Sequence, residues 1–329
     1  MKTSTMDELR ACVDAPGFSG VVSVIRRGQV LCKEARGFAN RESGERNSMG
    51  TRFATASLSK MFTAVCIARL VDAGLCKFDT PLAAVVPFLQ PEWGEEITIA
   101  SLLSHRSGLG DYIDDNAVMP FDGMDTSKLE RPLDFMPYLL ARMGKYEPGS
   151  FRYSSAGYIL LGLAIESLTA LPFTEAMRRW VIGPAGMMDT GFPPLDAPAA
   201  GMATGYLGRG EPNFRHLPRI GGPDGGIVTN VADLLWFFAC LRGEDLVSSA
   251  SRTFLFQEQS WFEPSGAYAH GFMADTIGTR KWYGHTGSDP GVSARVAFSP
   301  EEESSIIVLC NADDVAFHAF KLARQRLDA

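Results

Sequence analysis

Apolar residues recur along this chain in two rhythms, and the change between them divides it. Gly20 to Arg26 and Gln29 to Gly37 are short, rich in β-branched residues and joined at Arg27-Gly28, a turn that favours glycine. They read as the two strands of a hairpin. Residues 6 to 14 before them read as a short amphipathic helix. From Ser57 to Ala73 the pattern is apolar on nearly every face, through Met61, Phe62, Ala64, Val65, Ile67, Ala68, Leu70 and Val71. That predicts a helix buried all round, closed by Gly74 just past its end.

A longer middle section keeps the helical rhythm, interrupted by proline and glycine clusters. Ile99 to Leu103, Leu133 to Met143, Ser155 to Leu168, Thr174 to Val181 and Val231 to Leu241 are its expected helices. Strand rhythm then returns in short runs bounded by Gly, Pro, Asp and Glu: His270 to Thr276, Lys281 to Thr286, Val292 to Phe298 and Ser304 to Asn311. Three strands from this end are expected to join the first two, because neither set alone buries much surface. Asp314 to Leu327 reads as a closing helix. The expected fold class is α+β: an antiparallel five-stranded sheet built from both chain ends, flanked by N- and C-terminal helices, with a large, mostly helical insertion. Residues 1–52 with 260–329 would form the sheet domain and 53–259 the helical domain, with a functional site between them.

Composition narrows the function classes. The chain has 329 residues, 46% of them hydrophobic and 21% charged, which is ordinary globular usage. A net charge of −7 and the absence of any basic run argue against nucleic acid or an anionic membrane surface as partner. No segment reaches the 18 or so apolar residues of a membrane span. The first ten residues hold no apolar stretch suited to a signal peptide, so a cytoplasmic location is expected, or a periplasmic one if a leader was removed. The six cysteines form no C-x-x-C and read as buried free thiols, and the five scattered histidines show no ligand spacing. No metal or cofactor is expected. A small-molecule ester, amide or peptide substrate is.

Ser57-Leu58-Ser59-Lys60 places a hydroxyl and an amine three residues apart at the start of the apolar helix. Residues i and i+3 share a helix face, so the amine can reach the hydroxyl and act as its base. The helix dipole at this end opposes an ammonium, which should make Lys60 easier to deprotonate than a free lysine. The backbone N–H of Ser57 can point at a developing oxyanion. Taken alone, the same residues could be an N-cap and a surface lysine. A lysine inside so apolar a helix nonetheless calls for a task.

Two further elements lie downstream. Tyr153, in Arg152-Tyr153-Ser154-Ser155, sits in a loop just before an apolar helix, where a phenol can relay a proton. It could equally be a tyrosine packed at a helix entry, with Ser154 or Ser155 as cap. His285-Thr286-Gly287-Ser288 ends a strand, and Gly287 lets a substrate approach the strand edge closely. Ser288 can offer a second backbone N–H to an oxyanion.

These three elements, in this order, resemble the serine β-lactamase and penicillin-binding protein family, most closely its class C-like branch with D-aminopeptidases, D,D-carboxypeptidases and esterases. The family signatures S-x-x-K, Y-x-N and K-T-G or H-x-G correspond to Ser57-Leu-Ser-Lys60, Tyr153-Ser-Ser155 and His285-Thr-Gly287. Leu102 to Leu109, Glu147-Pro-Gly149, Gly157 to Gly162 and Gly225 to Asn230 resemble family segments too. The resemblance implies a β-lactamase/transpeptidase-like fold. It makes Ser57 the acylated nucleophile, Lys60 its general base and Tyr153 the proton shuttle, with the N–H groups of Ser57 and Ser288 as oxyanion hole. It requires no metal or cofactor.

Two departures bear on the substrate. Ser155 stands where the family usually has asparagine, and His285 where β-lactamases have lysine. A largely neutral histidine grips a carboxylate weakly, and in the family it is typical of D-aminopeptidases and esterases. The implied function is a serine hydrolase cleaving an ester or amide, D-amino-acid peptides included, through a Ser57 acyl-enzyme. The alternatives are a weak β-lactamase or D,D-carboxypeptidase, and a non-catalytic penicillin-binding-like binding protein. No G-x-S-x-G elbow offers another serine-hydrolase design. Tyr112, Trp282 and Asp224 are candidate pocket walls.

Overall fold

The computed structural model describes residues 11–14, 16–89, 96–113, 119–142, 144–262 and 266–328. Its frame is one antiparallel sheet whose strands come from both ends of the chain, as the α+β pattern implies. In chain order these are β1 (Gly20–Arg26), β2 (Gln29–Arg36), β3 (Ser260–Phe262), β4 (Gly266–Tyr268), β5 (Met273–Ile277), β6 (Arg280–Asp289), β7 (Val292–Ser299) and β8 (Ser304–Cys310). Their spatial order is β2-β1-β8-β7-β6-β5-β4-β3. The join between the two ends is the pairing of β1 with β8, from Gly20 opposite Cys310 to Ile25 opposite Ser305.

The sheet has eight strands rather than five. Beyond the two early strands and the last three, it continues through β5, β4 and β3. The run expected from His270 starts as a strand only at Met273, because Ala269 and Phe272 close a turn around Gly271, whose φ is +87°. β3 and β4 are three residues each, and Gly266–Tyr268 is buried throughout. Neither offers enough alternation to be read as a strand.

Alternation on the long strands sorts two cores. Val22, Val24, Ile306 and Val308 point to one face, where they meet Cys12, Val13, Trp282 and the C-terminal helix Val315–Asp328. Val21, Ile307, Leu309, Val296 and Phe298 point to the other, into a larger core shared with the helices. The helix expected over residues 6–14 is seen only as the 3₁₀ turn Ala11–Val13, with residues 6–10 outside the described residues.

On the inner face lie α1 (Ser59–Asp72), α2 (Ser155–Thr169) and α3 (Val231–Arg242). α1 is buried from Ser59 through Ala68 and ends as expected, with Gly74 at φ +72° and Leu75 N–H returning to Leu70 O. It starts two residues later than Ser57, which lies in the preceding 3₁₀ turn Ala56–Leu58. α2 is capped by Ser154, whose Oγ accepts from Gly157 N–H at 3.2 Å. Residues 133–142 and 174–181 are also helical, but begin with a 3₁₀ turn at Pro132 and end in a π turn over Arg178–Ile182, respectively. Among the described residues no single helix is long and apolar enough to cross a membrane.

Phe298 of β7 stacks on Phe238 of α3, centroids 4.5 Å apart and planes within 12°, and meets Phe256 edge-on. It is fully buried and couples sheet to helices. Phe298→Ala should cost about 3–5 kcal/mol of unfolding free energy in urea titration. A loss below about 1 kcal/mol would show that this seam is not a packed core.

Candidate active site

The site begins with a turn that is pinned from both sides. Phe53–Ala54 pairs with Val228–Thr229, Thr55 N–H donates to Ile227 O at 3.0 Å, and Gly226 N–H donates to Ala56 O at 3.1 Å. Ala56 has φ +47°, a left-handed conformation that a residue with a Cβ adopts at a cost of roughly 1 kcal/mol or more. The sharp bend leaves Ser57 part-exposed between buried neighbours, on the wall of a pocket it shares with Tyr112, Phe135, Ser155, Asp224 and Asp289.

Lys60 follows one turn later and is 0% exposed. Its Nζ donates to Ser57 Oγ at 3.1 Å, to Ser155 Oγ at 3.3 Å and to the backbone O of Asp224 at 2.7 Å. Those three acceptors match the three N–H groups of an ammonium. Burial pulls the Lys60 proton affinity down. Tyr153, Asp224 and Asp111 outweigh it, so Lys60 ends above the ordinary lysine range. The expectation of an easily deprotonated Lys60 is thus reversed at rest. The helix-end argument omitted acids that only the fold brings near.

Those acids are themselves held away from ionisation. Burial raises the carboxyl of Asp224, against the lowering effects of Lys60 and of Tyr112, whose hydroxyl donates to Asp224 Oδ2 at 2.7 Å. Burial likewise raises Asp111, which caps α2 by accepting from the N–H groups of Ser155 (2.8 Å) and Ala156 (3.1 Å). Asp289 is pushed up to about 7, by burial first and then by Asp224, with Lys60 pulling the other way.

Tyr153 lies with its ring centre 5.0 Å from Lys60 Nζ and packs on the His105 ring at 4.2 Å. His105 accepts from Ser154 N–H through Nδ1 at 3.0 Å, which fixes the loop carrying Tyr153. Its Nε2 is buried with no hydrogen-bond partner among the described residues.

The third element arrives on β6. This strand pairs with β7 from Tyr283 to Asp289, but with β5 only from Arg280 to Gly284, so among the described residues the other edge over residues 285–289 has no strand beside it. Gly287 presses on the Ser57 turn: a Cβ there would lie 2.1 Å from Thr55 O. His285 is buried, with its ring centre 6.3 Å from that of Tyr153. Its Nδ1 faces Thr286 O, an acceptor only, so Nδ1 carries the proton and Nε2 accepts from Tyr268 Oη at 3.0 Å. Burial foremost, then the charges of Lys60 and Arg295, lower its pKa to about 3, so the ring is neutral. Thr286 is part-buried beside Met273 and Ser288 is exposed, both lining a neighbouring cavity rather than the Ser57 pocket.

The fold therefore gathers Ser57, Lys60, Ser155, Tyr153 and Gly287 at one point. His285 enters through its strand rather than its ring. Of the expected walls, Tyr112 and Asp224 line the pocket, whereas Trp282 belongs to the core on the far face of the sheet. Asp111, Asp289 and Tyr268 carried no local signal, since each acquires its place from a partner distant in sequence, and His105 was visible only as part of the family-like segment Leu102 to Leu109. Among the described residues no group of three His, Cys, Asp or Glu is placed to hold a metal ion, and all six cysteines are free thiols.

The chain is 26% identical to a putative penicillin-binding protein PbpX of Bacillus subtilis over 305 residues, covering 91% of this chain and 72% of that protein. It is 27% identical to a D-aminopeptidase of Cereibacter sphaeroides, covering 96% of this chain and 62% of that one. Against the crystal structure of a penicillin-binding protein from Bacillus halodurans it superposes with a TM-score of 0.86 at 31% identity, covering 95% and 98% of the two chains. The D-amino acid amidase of Ochrobactrum anthropi shares the fold at a TM-score of 0.81 and 20% identity. The family model named Beta-lactamase matches residues 6–329, and this chain belongs to that family.

Proposed function

We propose that the protein is a serine hydrolase that cleaves an ester or amide through an acyl-enzyme on Ser57. The observation that carries this reading is a wholly buried Lys60 ammonium 3.1 Å from a hydroxyl that faces a pocket. Burying an unneeded cation costs several kcal/mol, so a site that retains one uses it. Relatives in the family include a D-aminopeptidase and the esterase EstB of Burkholderia gladioli.

The chemistry follows from the charge state. Ser57 Oγ attacks the substrate carbonyl, and its proton passes to the Tyr153–Lys60 pair. The pair takes that proton in the form that holds one proton fewer than ammonium plus phenol, from which either member can accept it. The same proton then goes to the departing alcohol or amine. Water attacks the acyl carbonyl and gives a proton to the pair; the bond to Ser57 Oγ then breaks, the acid leaves, and the pair returns the proton to Oγ. The N–H groups of Ser57 and Ser288 receive the oxyanion, which needs Gly287 to keep the strand against the turn.

The pocket wall speaks to the substrate. Asp224 and Asp289 stand beside Ser57, and Asp289 has no hydrogen-bond partner among the described residues. An acyl group with a free ammonium, as in a D-amino-acid amide or ester, suits that wall. Neutral His285 leaves β6 without the fixed cation that favours a β-lactam carboxylate, so β-lactam hydrolysis ranks second.

Ser57→Ala should abolish turnover of p-nitrophenyl butyrate, and full activity in that variant would exclude the nucleophile. Gly287→Ala should lower kcat by about a hundredfold, because about 1 Å of displacement at a reacting centre costs that much; activity within threefold of wild type would separate β6 from the oxyanion step. Asp289 binds a cation only when ionised, a state gained as pH rises through about 7. The kcat/KM ratio of D-alanyl to propionyl p-nitroanilide should therefore rise between pH 6 and 7.5, with Lys60 and Asp224 the charged neighbours that set the midpoint. Asp289→Asn should flatten that rise. A ratio independent of both pH and variant would remove Asp289 from substrate recognition.

A further inference from the structure

The loop that carries Tyr153 is gripped on both sides by one residue from another part of the chain. His105 accepts from Arg152 N–H with its backbone O at 2.8 Å and from Ser154 N–H with Nδ1 at 3.0 Å. Tyr153 is the residue between those two bonds. Its ring lies against the same imidazole, with centroids 4.2 Å apart and planes 35° apart. Arg106 extends the grip: its backbone O accepts from Gly149 N–H at 2.9 Å, and its Nε donates to Gly149 O at 2.7 Å.

The base of the grip is firm. His105 follows the short helix Ile99–Leu103, and two bonds close that helix end: His105 N–H to Leu102 O at 3.2 Å and Arg106 N–H to Ser101 O at 2.8 Å. Tyr158 Oη and Gly271 N–H both donate to Leu103 O, at 2.8 and 3.1 Å. The bend itself is left-handed, with His105 at φ +56°. Glycine is the usual occupant of such a place, because a Cβ there is strained. The side chain adds a second cost. Ser154 N–H donates to Nδ1, so Nε2 carries the ring proton, and the buried Nε2 meets no acceptor among the described residues. Burial first, then Lys60 and His285, hold the His105 pKa well below the ordinary histidine value, which keeps the ring neutral and Nδ1 an acceptor. A helix end alone would take glycine, and a packing residue would be apolar. Strain and an unpaired donor on one residue call for a task that the ring performs.

We propose that His105 is the positioning residue of Tyr153, clamping residues 152 and 154 and backing the phenol so that it stays within proton-transfer reach of Ser57 and Lys60. This rests on the hydrolase reading above and deepens it. Tyr153 is part-exposed and precedes the first turn of α2, so neither burial nor a helix fixes it. A proton passes only between groups held at hydrogen-bond distance, and a small displacement of the shuttle slows the step steeply. His105 touches neither the substrate nor the moving proton. It acts through Tyr153 alone.

The test is a double-mutant cycle with Tyr153→Phe, read as kcat and KM on p-nitrophenyl butyrate and as the rate of fluorophosphonate labelling of Ser57. His105→Phe keeps a ring beside Tyr153 but cannot accept from Ser154 N–H. His105→Asn offers an amide oxygen near the place of Nδ1 and tolerates a left-handed φ. His105→Phe should lower kcat and labelling about ten- to hundredfold, as misplacement by about 1 Å does, with KM within threefold. His105→Asn should recover part of that loss. Combined with Tyr153→Phe, the same substitutions should cost less than a further threefold, because the group they position is gone. A merely structural role would cost the same factor in both backgrounds. If His105→Phe does not fold, His105→Asn carries the cycle, and if Tyr153→Phe leaves no measurable rate, the recovery in His105→Asn decides. Equal losses in both backgrounds, activity within threefold of wild type in the folded His105 variants, full activity in Tyr153→Phe, or failure of both His105 variants to fold overturns the proposal. Labelled wild type with any of those results counts against His105 alone, whereas wild type that is neither labelled nor active overturns the hydrolase reading and this one with it.

Discussion

Everything at this site is organised by the burial of one positive charge. Lys60 lies inside a helix with apolar neighbours on every side, and its desolvation has to be offset by fixed acceptors. The adjoining Ser57 turn supplies one, and two distant segments supply the others: the start of α2 at Ser155 and the backbone at Asp224. The segment carrying Asp224 is tied to α1 again, by Thr63 Oγ1 donating to Pro223 O at 2.7 Å and by Ser59 Oγ accepting from Ile227 N–H at 2.8 Å. Satisfying the ammonium and assembling the catalytic groups are thus one packing problem. The same contacts that make Lys60 tolerable also hold Ser57 toward the pocket.

A second consequence is electrostatic partition. Asp111, Asp224 and Asp289 gather on the Lys60 side of the reactive strand, while Arg295 stands on β7 beyond Thr286. His285 lies between, neutral because burial and cations on both sides deny it a proton. Tyr268 and Thr286 use up both ring nitrogens, leaving the histidine as a brace for the strand.

Much of this was legible in the chain, for identifiable reasons. The hairpin at Arg27-Gly28 and the helix after Ser57 follow from period and turn chemistry, and the three signatures in order pointed to a β-lactamase-like frame. The short strands β3 and β4 escaped because three residues carry no period. The charge state of Lys60 escaped for a different reason. Helix position predicted easier deprotonation, but Tyr153 first, then Asp224 and Asp111, which the fold brings near, outweigh burial. Trp282 looked like a pocket wall because it precedes His285-Thr-Gly287, yet a strand alternates faces and sends it to the other core.

The central claim is that Ser57 Oγ becomes covalently acylated. Intact-mass and peptide-mapping spectrometry of the protein quenched during turnover of p-nitrophenyl butyrate tests it most directly. The account predicts a single butyryl adduct on the peptide containing Ser57, absent from Ser57→Ala. Turnover with no adduct on that peptide, or an adduct at another residue, would contradict it.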